Sequence, residues 1–445
     1  MILPPEATPV LAALLPEFTR PTALRFTTLL AAALLTTGCH TVANLLRTLR
    51  HLAPGHPTDY RRVLSRAPWS GLALGCSLAA LLIRLFVPEG TVVLVGDDTV
   101  DGHPGRKVYG KARHRDPVRS SHTHTVWRYG HKWVVLAVLV RFPFATRPWA
   151  LPILVGLYRS AEDDTKRRRP HRTPAQLMCR LLRLVLMRIP NRRFVFVGDG
   201  GYGTHEVARF CHRHRDRLTL VSKLHPEANL YEPPPPYKGK GRPRVKGGRL
   251  PKPSQAVAAA RRLSQRRVGW YGGGTRRVGV LSGMGHWYKA GQGLVPIRWV
   301  FVRDQEGTHR DEYFFTTDPG LEAVAVIGHY AGRWNLETTF QEARAHLGFG
   351  TTRGRCRRTV LRAAPCLLGL YSVVAVLYHA LPQGKRRGRV EWAGKAGVTF
   401  SDALCAVRRW LWAEAVLPQA GAEGAIEKLP DPVRELLLTT LAPAA

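Results

Sequence analysis

The chain has 445 residues, enough for two or three domains and a sizeable core, and carries 67 Lys and Arg against 31 Asp and Glu, a formal charge of +36 at pH 7. Such a surplus repels itself unless a polyanion neutralises it, which points to nucleic acid and leaves open an RNA-binding or ribosome-associated protein. The seven cysteines are scattered, odd in number and without a C-x-x-C pair, which argues against a disulfide framework or structural zinc and fits a reducing cytoplasm.

Residues 1–88 read as a helical region rich in Leu and Ala. Within it, 26–35, the turn Thr36-Thr37-Gly38 and 40–52 read as helix, tight turn, helix. This is either a helix-turn-helix offering Thr41, Asn44 and Arg47 to DNA, or a plain helical hairpin. The stretch 29–35 lies too far from the start and lacks the basic flank of a signal peptide. The longer apolar run 69–87 contains Arg84 and is diluted by Gly71, Gly75 and Ser77, so a buried helix is expected and no membrane span.

Residues 89–223 predict strands at 91–97, 126–142 and 150–158, a helix at 174–187, a strand at 194–198, a helix at 205–212 and a strand at 218–223. Between the first two strands, 101–125 is dense in Arg, Lys and His. It is either a solvated loop or a phosphate-contacting one working through Arg106, Lys107, Lys111 and Arg113. His122, His124 and His131 suit local hydrogen bonds better than a metal. Residues 224–318 form a β-rich insertion opening with a Pro/Gly-rich basic arm at 233–253, which is expected to stay extended. Arg242 and Arg244 in its Gly-Arg-Pro-Arg centre fit an A·T minor groove, or the arm is a linker. Strands follow at 268–280, 293–303 and 312–316, in a segment that holds Trp270, Trp287 and Trp299. Asp318-Pro319 starts the helical part 319–382, and 383–445 reads as a basic joint with a helical tail at 400–441.

The most informative stretch is 329–349, HYAGRWNLETTFQEARAHLGF. At about 100° per helical residue, Tyr330, Arg333, Glu337 and Arg344 fall on one arc of roughly 60°. Leu336, Phe340, Ala343 and Leu347 make an apolar stripe beside them, and Gly348 is a C-cap. Two apolar runs end in aspartates, GTVVLVGDDTV at 90–100 and RFVFVGDGGYG at 193–203. Two acids at strand ends and one on a late helix suit a pair of divalent metals acting on phosphodiester bonds. Asp97 and Asp98 point to opposite faces of a strand, and both faces are apolar, so periodicity does not choose between them.

These residues resemble the bacterial insertion-sequence DDE transposases of the hairpin-forming branch, over roughly residues 88 to 380. The signature of that family reads tyrosine, two residues, arginine, three residues, glutamate, six residues, lysine. Arg344 stands where lysine is usual, replacing a compact donor by a planar fork. Asp199 in GDGGY matches the second acid, and Asp98, followed by Thr99, is favoured over Asp97 for the first. The resemblance implies an α/β fold: a ribonuclease H-like catalytic core (89–223 and 319–382) interrupted by the β-rich insertion, with a helical N-terminal DNA-binding region and a short helical C-terminal tail. It further implies cut-and-paste transposition, cleavage at element ends and strand transfer, with Asp98, Asp199 and Glu337 catalytic and holding two Mg²⁺ ions, which Mn²⁺ can replace. Tyr330, Arg333 and Arg344 would grip phosphates, and Trp287 would stack on a base flipped from the DNA end. The implied partners are double-stranded DNA, as terminal inverted repeats and target, and a second copy of the chain. The implied place is the cytoplasm, at the nucleoid, with no membrane. Two competing expectations are a non-catalytic DNA-binding regulator or decayed copy, and a ribonuclease H-like nuclease that cuts without joining.

Overall fold

The computed structural model describes residues 3–115, 123–237, 239, 241–386, 388, 390–422, 424–425 and 428–443. Helices α1 (Thr8–Leu14), α2 (Arg20–Leu35), α3 (Val42–Leu49), α4 (Pro57–Ser65) and α5 (Gly71–Phe86) lead into strands β1 (Val92–Gly102), β2 (Ala112–Arg115), β3 (Trp127–Val140) and β4 (Trp149–Tyr158). Next come α6 (Ala161–Lys166), α7 (Pro174–Arg188), β5 (Phe194–Gly198), α8 (His205–Arg213), β6 (Leu218–Lys223), β7 (Leu230–Tyr231) and α9 (Pro253–Ala259). The chain continues through β8 (Ser264–Gly269), β9 (Thr275–Lys289), β10 (Gly293–Asp304) and β11 (Glu312–Thr316). Five helices close it: α10 (Ala323–Arg333), α11 (Asn335–His346), α12 (Arg357–Ala380), α13 (Phe400–Leu411) and α14 (Asp431–Leu441).

The strand order β4-β3-β1-β5-β6, in which β3 alone runs antiparallel to its neighbours while β4, β5 and β6 share the direction of β1, is the ribonuclease H-like arrangement. Strands rich in Val, Leu and Phe on both faces are buried from both sides. Leu94, Leu136 and Phe196 join the core under α5 and α7, whereas Val95, Val135 and Val197 join the core under α10 and α11. The insertion does not stand apart: β11 pairs with β6, and β10 and β9 extend the same sheet.

Local departures from the expected elements have local causes. The strand expected at 268–280 is a hairpin, because Gly272 and Gly273 take positive φ of 73° and 88° and turn the chain between β8 and β9. The basic arm folds back, with Tyr231 bridging to Arg249 and Lys246 lying 3.9 Å and 4.6 Å over the rings of Tyr231 and Tyr288. Arg242 and Arg244 stay exposed, while Lys238 and Lys240 lie outside the described residues. So do His122 of the basic loop and Arg387 and Arg389 of the basic joint. In the N-terminal pair, Thr41 caps α3 by accepting from the Asn44 backbone and the Asn44 amide donates to the Cys39 carbonyl, so both polar side chains serve the turn itself. Helix α12, with 24 residues, is the one described helix long and apolar enough to cross a membrane. It lies across β4, where the Ser372 hydroxyl donates to the Pro152 carbonyl at 2.7 Å.

Arg408 of α13 ties the N-terminal helices to the core. Fully buried, it donates to the carbonyls of Leu34 at 2.8 Å, Thr36 at 3.3 Å and His346 at 3.2 Å, the ends of α2 and α11. Burial pulls its pKa down to about 10, still charged at neutral pH. Arg408→Ala leaves three carbonyls without their donor, and chemical denaturation is expected to show a loss of about 2–4 kcal/mol. A loss under about 0.5 kcal/mol, the range of ordinary surface substitutions, would mean that Arg408 is no tie.

Candidate active site

Strand register decides which acids meet. Gly96 of β1 lies beside Gly198 of the parallel β5, so Asp97 and Asp199 emerge next to each other at the ends of neighbouring strands. Both continue the odd-numbered face of Val95 and Val197, the face that α10 and α11 cover. Asp98 belongs to the even face with Lys132 of β3 and is paired with it at 2.8 Å.

The helix that brings the third acid is kinked. It breaks at Trp334 into α10 and α11, and the Asn335 amide donates to the Gly332 carbonyl at the joint. The expected arc survives the kink: Arg333, with its side chain only 8% exposed, donates to Asp97 on the strand and to Glu337 at 3.1 Å. Its guanidinium lies 5.6 Å over the Tyr330 ring, itself buried against Phe314. Arg344 donates to the Thr99 hydroxyl, and the apolar stripe of Leu336, Phe340, Ala343 and Leu347 is buried as its spacing requires. Gly348 takes φ of 63° at the helix end.

Burial shapes the charges. It pushes Asp97 up to about 7, with Arg333 opposing and Asp199 reinforcing the shift. Burial also raises Asp98 against the pull of Lys132, and Glu337 against that of Arg333. Arg333 itself ends above the ordinary guanidinium value: burial disfavours its charge, but Asp97, Tyr330 and Glu337 more than offset that. Among the described residues Asp199 forms no ion pair; its carboxylate accepts from the Gly201 backbone at 3.0 Å.

The expectation of two Mg²⁺ ions, or Mn²⁺ in their place, on Asp98, Asp199 and Glu337 is overturned. Among the described residues no group of three or more His, Cys, Asp or Glu could hold a metal ion. The reason is visible in the pairing. Asp98 faces the opposite side of the sheet from Glu337, and Arg333 takes up the carboxylates of Asp97 and Glu337. A protein cation, the Arg333 guanidinium, stands among these acids.

The remaining candidates are dispersed. Trp287 packs edge-on against His205 and Phe315, on the face away from α10 and α11. Arg106 and Lys107 are exposed in the loop after β1, and the Lys111 ammonium donates to the Gly105 carbonyl. His131 contacts the Tyr109 carbonyl at 3.0 Å and lies 3.5 Å from Asp101, the local bonding its strand position implied. What sequence reasoning missed lies beside Arg333: a cleft of about 480 Å³ lined by Lys223, Tyr271, His309, Glu312, Tyr330 and Trp334. Tyr271 reaches it from the Gly-rich turn before β9, and no spacing in the sequence signals that approach.

A sheet of this order, with acids at the ends of its central strands and an acid-bearing helix across them, is a ribonuclease H-like core. The family model described as DDE superfamily endonuclease matches residues 13–277, and the chain belongs to that family. The matched span contains Asp97, Asp98 and Asp199 and ends before Glu337. The cryo-EM structure of a piggyBac transposase synaptic complex with hairpin DNA is similar at a TM-score of 0.41 and 11% identity, over 96% of this chain and 77% of that one. No curated protein matches.

Proposed function

We propose that the chain is a DNA transposase of the bacterial insertion-sequence kind, cutting at element ends and transferring the freed strand by cut-and-paste. The observation that carries this reading is that Asp97, Asp199 and Glu337, remote in sequence, gather on one face around Arg333. Glu337, one third exposed and raised by burial, is the group suited to accept the proton of an attacking water or 3′-hydroxyl. Tyr330, Arg333 and Arg344 border the place where a phosphate would lie, and the charge of +36 supplies the attraction for double-stranded DNA. A homodimer holding two ends, at work on the nucleoid in the cytoplasm, completes the reading.

The internal pairing of Asp97, Asp98 and Glu337 favours a second reading, a protein that grips ends without cutting them. The two separate when the protein is incubated with its own flanking terminal sequences, wild type beside Glu337→Gln. Excision and joining by wild type alone, with binding kept by the variant, are expected. Cleavage unchanged in Glu337→Gln removes that residue from the site, and binding without cleavage by wild type selects the second reading.

A further inference from the structure

Beyond the acid cluster, β3 runs on past the sheet as a two-stranded ribbon with β2. Arg115 pairs with Trp127 and Arg113 with Tyr129. All four side chains are exposed, Trp127 at 47% and Tyr129 at 60%. The Arg113 guanidinium sits 4.5 Å over the Trp127 ring, and the Lys111 ammonium 5.9 Å from the centre of the Tyr129 ring. Large exposed aromatics are costly to keep in water without a partner, and two on one strand face mark a contact surface. Charge indicates the kind of partner: residues 102–132 hold eight Lys and Arg against a single Asp and no Glu.

Strand parity fixes where this surface points. Trp127 and Tyr129 share the odd face of β3 with His131, Trp133 and Val135, and Val135 is the neighbour of Asp97. The ribbon face therefore continues the face on which Asp97, Asp199 and Glu337 meet. At about 3.3 Å per strand residue, Tyr129 and Trp127 lie roughly 20 and 26 Å from that cluster.

We propose that this ribbon is a binding site for unpaired DNA, with bases stacking on Trp127 and Tyr129 and the backbone phosphates held by Arg113 and Arg115. A duplex offers phosphates and base edges but keeps its base faces stacked, so flat rings alternating with cations suit a strand whose bases are free. The inference takes DNA as the polyanion from the reading above and adds the single-stranded form and the place. Its measurement involves no cleavage, so failure of that reading and failure of this one are distinguishable.

The test is fluorescence anisotropy with a labelled 20-nucleotide single strand and the duplex of the same sequence, using full-length wild type, a Trp127→Ala/Tyr129→Ala variant and a Trp127→Phe/Tyr129→Phe variant. The alanine pair is expected to weaken single-strand binding by at least about tenfold and duplex binding by less than about twofold, and the phenylalanine pair to retain most of the affinity. Arg113→Ala/Arg115→Ala should flatten the salt dependence of single-strand binding by about 1.4 in log–log slope, which the aromatic changes should leave alone. Equal losses for both DNAs would make the ribbon a duplex contact, and no loss for either would remove it from DNA binding. A changed oligomeric state of the alanine pair in light scattering would make it an interface between copies. Each of these three results overturns the proposal, and unchanged thermal melting of the variants shows that the fold is intact.

Discussion

Arg333→Ala is expected to cost the fold about 3–5 kcal/mol at neutral pH, because it strips the counter-ion from a buried Asp97 and leaves Glu337 beside it unpaired. The loss should depend on pH, with a sign that follows from linkage. In the wild type Asp97 titrates near 7 in the folded state and at about 3.9 unfolded, so the native state binds more protons between those values and its stability falls as pH rises through them. Without Arg333 the folded value climbs further, since the one opposing cation is gone, and the falling window extends above pH 7. Thermal melts at pH 5 and pH 8.5 should therefore show a larger gap between variant and wild type at the higher pH. Arg333→Ala/Asp97→Asn, which removes the stranded charge, should recover part of it. A gap equal at both pH values would mean that Asp97 does not feel Arg333.

Asp97→Asn should reduce strand cleavage by about 10²–10⁴-fold, whereas Asp98→Asn should reduce it by less than about tenfold. The contrast rests on geometry: Asp97 shares a face with Asp199 and Glu337, and Asp98 lies behind the sheet with Lys132. Single-turnover cleavage of DNA carrying the chain's own flanking sequences reads the difference. An inactive Asp98→Asn beside an active Asp97→Asn would reverse the assignment and with it the proposed face of attack. Both proteins should still bind DNA, because the attraction comes from the basic surface and not from the acids.

Much of the core was legible because its signals are local. The strands 194–198, 218–223 and 312–316 matched residue for residue, since each is a short apolar or β-branched run between turn-forming neighbours. The arc of Tyr330, Arg333 and Glu337 was legible from helical spacing and survived a kink at Trp334 that spacing does not announce. Less was legible where pairing is long-range. The insertion was expected as an added β-rich piece, but the edge of β6 offers free backbone groups that β11 satisfies, so its strands extend the same sheet. The prolines and glycines of the arm imply an extended chain but carry no sign that Lys246 finds two tyrosine rings.

By itself the sequence determined the strongly basic character, the apolar runs that become the buried strands, the acids at their ends and the helix that carries Glu337, because composition and periodicity act through nearest neighbours along the chain. Tertiary structure alone decided which of Asp97 and Asp98 faces Glu337, and that Arg333 and Lys132 take up these acids as ion-pair partners. A strand apolar on both faces carries no mark of which side a given helix will cover. That side is fixed only when β5 sets its register beside β1 and α10 closes over the pair, and the same closure brings a guanidinium within hydrogen-bond reach of two carboxylates.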